Sequence, residues 1–137
     1  MADEDRISVG SDSDLVVARQ KGRELAGQLG FSVTDATLIA TAISELARNI
    51  LAYAGAGEIV LSHVFENGRD GIVVVARDEG PGIVDIDEAT NEGFTTGRGL
   101  GMGLPGTRRL MDEFEIHSEA GRGTQVVIKK WRGRARG

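Results

Sequence analysis

The chain has 137 residues and a formal net charge of -5, from 16 basic and 21 acidic residues, and it contains no cysteine. Its length suits one compact domain, which we expect to span residues 1–137. The lack of cysteine excludes disulfides, thiolate zinc sites and a cysteine nucleophile. The N-terminal sequence is acidic and polar, and no stretch approaches the roughly 18 uninterrupted apolar residues of a membrane span. The composition therefore predicts a cytoplasmic domain without a membrane partner.

The charge is unevenly distributed along the chain. Residues 1–128 carry all 21 acidic residues, and the C-terminal segment holds a basic cluster of Lys129, Lys130, Arg132, Arg134 and Arg136. An acidic body opposes nucleic-acid binding, which draws its affinity from neutralised phosphates. We therefore expect no nucleic-acid partner, and we interpret about 132–137 as a solvated basic tail.

The first predicted elements are a short edge strand and an amphipathic helix. The strand covers Ile7–Val9. Ser13 or Asp14 is expected to cap the helix, because apolar or small residues recur after them at helical spacing until Gly30.

A second helix is predicted from an N-cap at Thr34 to Gly55, with apolar residues at the same spacing. At about 100° per residue, Glu45 and Asn49 lie within roughly 40° of each other and about 100° from the centre of the apolar stripe. The two polar side chains therefore share one edge of the helix, away from its core face.

A β-hairpin follows the second helix. Two runs rich in β-branched residues, Glu58–Phe65 and Ile72–Arg77, flank a predicted turn of several residues at Asn67–Gly71. The second run is apolar enough to be a central strand and is stopped by the sequence DEGPG, whose Gly and Pro favour a turn. This places Asp78 at the end of a strand.

The next segment, 85–97, is polar, with one or two helical turns at most, and we interpret it as a mobile loop that leads into GRGLGMGLPG. A third helix is supported by apolar residues from Leu104 to Phe114, with Pro105 tolerated in its first turn.

Two further strands are predicted, at Phe114–Ser118 and Gln125–Trp131. The predicted fold is an α/β two-layer sandwich in which helices pack on one face of a mostly antiparallel or mixed sheet.

Four motifs stand in order along the chain: Glu45 with Asn49, DEGPG at 78–82, GLGMGL at 99–104 and GRGT at 121–124. Each is weak alone, because a Glu and an Asn four apart on a helix are usually solvated and a DxGxG sequence is a common turn. The glycine run follows a polar loop and not the first strand of a βαβ unit, so it does not match a dinucleotide-binding fingerprint, and the chain has no GxxxxGK[ST] phosphate loop.

Taken together, the four motifs resemble the Bergerat-type (GHKL) ATP-binding fold that gyrase, Hsp90, histidine kinases and MutL share. The pieces SELARNI, LAYAG, DEGPGI, GLPGTRRLMDEF and GRGT are most similar to the small bacterial serine kinases of the anti-sigma and switch-kinase group, of the RsbT stressosome type. This resemblance spans nearly the whole chain and implies an ATP- and Mg²⁺-dependent protein serine/threonine kinase.

The resemblance implies a group of residues that bind adenine. Asp78 would accept a hydrogen bond from the adenine amino group, Gly80 and Gly82 would let the backbone pass close to the base, and Thr124 would make a water-bridged contact to it. A buried strand that ends at Asp78 suits this role, because it fixes the direction of the carboxylate.

The resemblance also implies a phosphate and metal site. Asn49 would offer a neutral oxygen to Mg²⁺. The glycine run would bind phosphate with N–H groups just before a helix N-terminus, through Gly99, Gly101, Met102, Gly103 and Leu104. Arg98 is expected to reach the γ-phosphate.

Glu45 is the residue to which we assign proton transfer, since a carboxylate one turn from the metal ligand can accept a hydroxyl proton. The alternative is that Glu45 only orders water or metal. Arg48 is a candidate to orient groups at the same helix edge. The two histidines, His63 and His117, are interpreted as ordinary strand residues.

Three functions follow from the resemblance. The first is a kinase that phosphorylates STAS-domain proteins and then activates a PP2C-type phosphatase on release. The second is an anti-sigma factor that binds a sigma subunit and phosphorylates its STAS antagonist. The third is a non-catalytic, nucleotide-gated binding module in which ATP merely orders the loop at 85–97, and the presence of Glu45 argues against it.

Overall fold

The computed structural model describes residues 4–80, 103–119 and 121–133, which form five strands and three helices. In chain order the elements are β1 (Glu4–Val9), α1 (Asp12–Gln28), α2 (Val33–Tyr53), β2 (Gly57–Glu66), β3 (Arg69–Asp78), α3 (Gly103–Leu110), β4 (Glu113–Glu119) and β5 (Gly123–Trp131). The strands form one sheet in the order β1-β2-β3-β5-β4, and every neighbouring pair is antiparallel. The predicted α/β two-layer sandwich is therefore confirmed.

The core lies between the helices and one face of the sheet. Alternate residues of β3, which are Ile72, Val74 and Ala76, belong to the same buried cluster as Ile39 and Ile43 of α2. Because successive side chains of a strand point to opposite faces, this pattern assigns the even-numbered positions of β3 to the helical side.

The two long helices begin earlier than the sequence predicted. Ser11 caps α1 and Ser32 caps α2, and each hydroxyl accepts a hydrogen bond from the backbone N–H three residues later. The caps predicted at Ser13 or Asp14 and at Thr34 were wrong, because those residues already lie inside the first helical turn.

The β2–β3 connection is tighter than the predicted turn over 67–71. Both strands extend to a two-residue turn of Asn67 and Gly68, which have φ values of 53° and 77°. Positive φ at both central residues is the geometry that an Asn-Gly pair favours in hairpins. The register that this turn sets pairs Asp78 with Gly57.

The C-terminal part shows two more differences. Helix α3 ends at Leu110, and Phe114, which was assigned to that helix as well as to the next strand, lies in β4 opposite Ile128. Arg132 is not part of a free tail, since its N–H donates to the Asp70 carbonyl at 2.8 Å and its guanidinium lies 3.6 Å from the Asp70 carboxylate. The predicted loop at 85–97 lies outside the described residues.

None of the helices that the structure describes is long and apolar enough to cross a membrane.

Candidate active site

A row of small and polar residues crosses one end of the sheet. The strand register aligns Ser118, Thr124, Asp78 and Gly57 as successive partners across β4, β5, β3 and β2. Paired residues of antiparallel strands place their side chains on the same face. Asp78 shares the face of Ala76, so this row faces the helical layer.

Short contacts fix the polar groups of the row. Asp78 Oδ1 accepts a hydrogen bond from the N–H of Gly80 at 2.9 Å, which orients the carboxylate. The hydroxyls of Ser118 and Thr124 lie 2.9 Å apart, and Ser118 Oγ also donates to the carbonyl of Gly123 at 3.1 Å. The carboxylate and the Thr124 hydroxyl are thus held side by side on adjacent strands.

Glycines allow close backbone approach around Asp78. A Cβ on Gly123, which has a φ of 104°, would lie 2.1 Å from the Asp78 carbonyl oxygen. A Cβ on Gly80 would lie 2.6 Å from Cβ of Ala54, the residue that follows α2. The end of α2 therefore packs directly against the turn that follows β3.

The polar edge of α2, which carries Asn49 and Glu45, extends from this contact towards the N-terminus of the helix. Glu45 is buried, with 6% of its surface exposed, and Asn49 on the next turn is partly buried. At about 1.5 Å per residue, Asn49 and Glu45 lie roughly 7.5 and 13.5 Å along the axis from Ala54. Counted along the axis of α2 from the end that packs against the turn after β3, Asn49 therefore comes before Glu45.

Arg48 interacts with Glu45 directly. Its Nη1 donates to Oε2 of Glu45, and the Arg48 side chain is about half exposed. This is the position at the same helix edge that the sequence suggested.

The predicted phosphate-binding residues are only partly described. Gly103 is the first residue of α3, and Leu104 is buried in the core. Helix α3 packs against α2, so its N-terminus belongs to the same layer as Glu45 and Asn49. The remaining predicted ligands lie outside the described residues: Gly82, Arg98, Gly99, Gly101 and Met102.

The described residues contain no group of three or more His, Cys, Asp or Glu side chains that could hold a metal ion. The amide oxygen of Asn49 suits Mg²⁺, which is usually bound through one or two protein oxygens together with water and substrate phosphates.

A concavity of about 850 Å³ opens at the same end of the sheet. It is lined by all four residues of the row and also by Arg77, Gln125 and His117, which are sequence neighbours of row residues and point to the opposite face. Glu45 and Asn49 do not line it, so the concavity includes the row at the end of the sheet but not the polar edge of α2.

Two residues of the row, Gly57 and Ser118, were not predicted from the sequence. Gly57 is packed between Ile50 and Asp78, where a Cβ would lie 2.9 Å from Ile50 Cγ2. Ser118 follows from pairing the last two strands through the glycine turn that ends at Gly123, which places it opposite Thr124. The two histidines lie in strands as predicted, and His63 Nε2 is 2.7 Å from Asp70 Oδ1.

Comparison with known proteins shows which family this chain is similar to. Residues 11–130 match the model of the histidine kinase-like ATPase domain. The chain is 49% identical over 131 residues to the serine/threonine-protein kinase RsbT of Bacillus subtilis (strain 168), covering 96% of this chain and 98% of the relative.

The chain is also similar to two more distant proteins. The chain is 37% identical over 121 residues to the anti-sigma F factor of Geobacillus thermodenitrificans (strain NG80-2), covering 82% of this chain and 81% of that protein. The solved structure of the RsbU and RsbW domains of Rv1364c from Mycobacterium tuberculosis matches with a TM-score of 0.63 and 21% identity, over 99% of this chain and 34% of that chain. At this identity, the structural match supports the fold alone.

Proposed function

The chain belongs to the histidine kinase-like ATPase family, in the group that contains the kinase RsbT and the anti-sigma F factors, and we propose that it phosphorylates a STAS-domain protein. The family that the motifs predicted is confirmed. The chain is an ATP-using protein serine/threonine kinase with a partner-switching role.

The proposal extends to its setting and partners. The kinase acts as a single cytoplasmic domain in a stressosome-like complex. Phosphorylation of the STAS partner releases the kinase, which then activates a PP2C-type phosphatase by direct binding.

The observation that carries the site assignment is the pairing of Asp78 with Thr124 at the end of the sheet, where the end of α2 packs against the turn after β3. Asp78 Oδ1 is engaged by Gly80, and the second carboxylate oxygen accepts a hydrogen bond from the adenine amino group. Thr124 contacts the same base from the neighbouring strand. The triphosphate then extends past Asn49 towards Glu45, with the N–H groups before α3 as further phosphate ligands.

Mg²⁺, when bound by Asn49 and the phosphates, neutralises phosphate charge. The hydroxyl oxygen of the acceptor serine or threonine forms a bond to the γ-phosphorus, and the bond between that phosphorus and the β–γ bridging oxygen breaks. ADP leaves with the electron pair of the broken bond. The hydroxyl proton passes to the carboxylate of Glu45, which acts as general base.

The test is phosphoryl transfer from labelled ATP to purified STAS-domain proteins, chosen from those encoded beside this kinase. We expect label on Ser or Thr of one of them. In Glu45→Gln, transfer should fall by about 10²–10⁴-fold, the usual contribution of a general base, while ATP affinity stays within about twofold. Lost ATP binding in this variant, measured by calorimetry, would contradict the assignment of Glu45 to chemistry.

An anti-sigma role is the second candidate, favoured by the identity to anti-sigma F factors. In that case the chain binds a sigma subunit directly and phosphorylates the STAS antagonist of that complex. A pull-down with purified sigma subunits, with and without ATP, distinguishes the two: retention of a sigma subunit supports the anti-sigma role, and retention of a STAS protein alone supports the switch kinase.

A further inference from the structure

Three polar side chains lie side by side at the end of the sheet. Ser118 of β4 pairs with Thr124 of β5, and Thr124 pairs with Asp78 of β3. Neighbouring strands lie about 4.8 Å apart, and paired residues present their side chains on the same face. The Thr124 hydroxyl is therefore flanked by the Asp78 carboxylate on one side and by the Ser118 hydroxyl, 2.9 Å away, on the other.

The Ser118 hydroxyl determines where the Thr124 proton points. Ser118 Oγ donates to the carbonyl oxygen of Gly123 at 3.1 Å, and a carbonyl oxygen can only accept. Because a hydroxyl has one proton, Ser118 is the acceptor in its contact with Thr124, and Thr124 is the donor. Ser118 makes a further interaction besides these two. That interaction leaves the direction of this chain unchanged, since the one proton of Ser118 is already donated to Gly123.

This chain of hydrogen bonds leaves acceptors on both neighbouring strands. Asp78 Oδ1 accepts from the N–H of Gly80, and the second carboxylate oxygen is also an acceptor. Thr124 Oγ1, with its proton directed to Ser118, presents lone pairs beside it. An amino group at position 6 of a purine can donate to these acceptors, whereas an oxo group at that position is itself an acceptor and is repelled.

A water that bridges the two residues to the base would have the same polarity. Such a water donates one proton to the Asp78 carboxylate and the other to Thr124 Oγ1, so that only its lone pairs are left for the base. The concavity that includes the row has room for it. Direct and water-mediated contact therefore favour the same purine.

We propose that Ser118 is a specificity-determining positioning residue, which fixes Thr124 as an acceptor and so makes the site select a 6-aminopurine over a 6-oxopurine nucleotide. The inference deepens the proposed function and rests on it, because it takes Asp78 and Thr124 as the residues that bind the base. Ser118 acts through Thr124 and does not contact the nucleotide.

A purely structural role predicts something different. Ser118 also ties β4 to the GRGT motif through the Gly123 carbonyl, and loss of that contact alone would weaken the binding of all purine nucleotides by the same factor. A proton-directing role instead predicts a change in the ratio of two affinities. Without Ser118, the Thr124 hydroxyl can rotate and donate to an oxo group or to the bridging water.

The experiment measures the Kd values for ATP and ITP by calorimetry, each with Mg²⁺, for the wild type and Ser118→Ala. ITP has an oxo group in place of the amino group at position 6 and a proton on N1. We expect the wild type to bind ATP at least about tenfold more tightly than ITP. In Ser118→Ala the Kd ratio of ITP to ATP should fall by about three- to tenfold, the usual size of one neutral hydrogen bond.

Three further variants isolate the Thr124 hydroxyl. Ser118→Thr keeps a hydroxyl and should keep the wild-type ratio. Thr124→Val has no hydroxyl to direct, so adding Ser118→Ala to it should leave the ratio of that variant unchanged. Ser62→Ala is the matched control, because Ser62 is a partly buried serine of β2 that pairs with Val73, outside the row. Its ratio should equal that of the wild type.

An unchanged Kd ratio in Ser118→Ala overturns the inference, and so does an equal fall of the ratio when the same change is made in Thr124→Val. Ser118→Cys is close to serine in size but is a weak donor and acceptor, so it should show the same fall and serves if the alanine variant does not fold. A wild type that binds neither nucleotide refutes the proposed function itself. Tight ATP binding with wild-type ratios in both Ser118→Ala and Ser118→Cys contradicts only the role of Ser118.

Discussion

The backbone position of Asp78 depends on a neighbouring glycine, which has no side chain with which to bind a ligand. The carbonyl oxygen of Asp78 lies against Gly123, which occupies a left-handed conformation with a φ of 104°. Any side chain at Gly123 would push on the backbone of Asp78, whose carboxylate we propose to bind adenine. The GRGT motif therefore shapes the site through its glycine as well as through Thr124.

Replacing Gly123 with Ala should weaken ATP binding. The new Cβ would lie 2.1 Å from the Asp78 carbonyl oxygen, so β3 and β5 must separate locally. We expect the Kd for ATP, measured by calorimetry, to rise at least about tenfold, corresponding to about 1.4 kcal/mol.

Gly121→Ala is the control for backbone strain. Gly121 also has a positive φ, of 81°, but a Cβ there meets no atom within 4 Å. It should cost about 1–3 kcal/mol of stability and leave the Kd within about twofold. Equal losses of affinity in both variants would show that strain, and not contact with Asp78, is responsible.

Residue chemistry made part of this site predictable. Glu45, Asn49 and Asp78 stand out in the sequence because helical spacing and a strand end fix their directions. Ser118 and Gly57 do not stand out, since their roles depend on which strands are neighbours. The ion pair between Arg48 and Glu45 was only suggested, because a helix spacing of three permits a contact without requiring it.

At the scale of elements, the packing of α1 on α2 positions the polar edge. Gly22 of α1 lies directly against Ile43 of α2, and a Cβ on Gly22 would be 2.1 Å from Ile43 Cδ1. Ile43 is fully buried, so its side chain has little room to move. Glu45 follows Ile43 by two residues on the same helix. The packing of Gly22 against Ile43 therefore helps to set the position of Glu45.

Gly22→Ala should therefore destabilise the fold. Overpacking costs about 1–3 kcal/mol, which outweighs the gain of up to about 1 kcal/mol that Ala usually brings to a helix. The measurement is urea unfolding of the purified protein.

Gly27→Ala provides the comparison within the same helix, because Gly27 is exposed and a Cβ there meets no atom within 4 Å. It should stabilise the protein by about 0.5–1 kcal/mol. A stabilising effect of Gly22→Ala would mean that α1 and α2 pack less closely than described.

Element boundaries illustrate what local patterns can and cannot specify. Periodicity identified α1 and α2, but several Ser, Thr and Asp residues near each start compete as caps, and only the first in each case lies before the helix. In the hairpin, the Asn-Gly pair is a stronger signal than the polar residues after it. The strands continue through those residues because Arg69 and Asp70 pair with Glu66 and Phe65.

At the scale of the molecule, one side chain can report on the whole fold. Trp131 is the only tryptophan of the chain and is 7% exposed. Its ring centroid lies 5.0 Å from Arg69 Cζ and 5.4 Å from Lys129 Nζ, and its Nε1 donates to Glu113 at 2.9 Å. It stands at the opposite end of β5 from Thr124, so nucleotide binding should leave its native emission unchanged.

Unfolding followed by this fluorescence should reveal ATP binding through linkage. At ATP concentrations of roughly 100 times Kd with Mg²⁺, the free energy of unfolding should rise by about 2.7 kcal/mol, because ATP binds the folded state alone. Asp78→Asn should abolish most of this increase at the same ATP concentration. The same increase in wild type and Asp78→Asn would contradict the role of Asp78.

The two-layer architecture was predictable as a class, since two amphipathic helices and several alternating strands have few ways to bury their apolar faces. The order of the strands was not. Nothing in the spacing of residues specifies that β5 pairs with β3, and that pairing is what brings Thr124 beside Asp78.

The interior position of β5 also bears on how the protein is made. Residues 123–131 are synthesised after all the other elements described here, yet they fill the gap between β3 and β4. A nascent chain emerging from the ribosome can form its helices and its first hairpin early, because those contacts are local. The proposed adenine-binding row stays incomplete until β5 arrives, so we expect the nascent chain to gain affinity for ATP only after residues 123–131 have emerged.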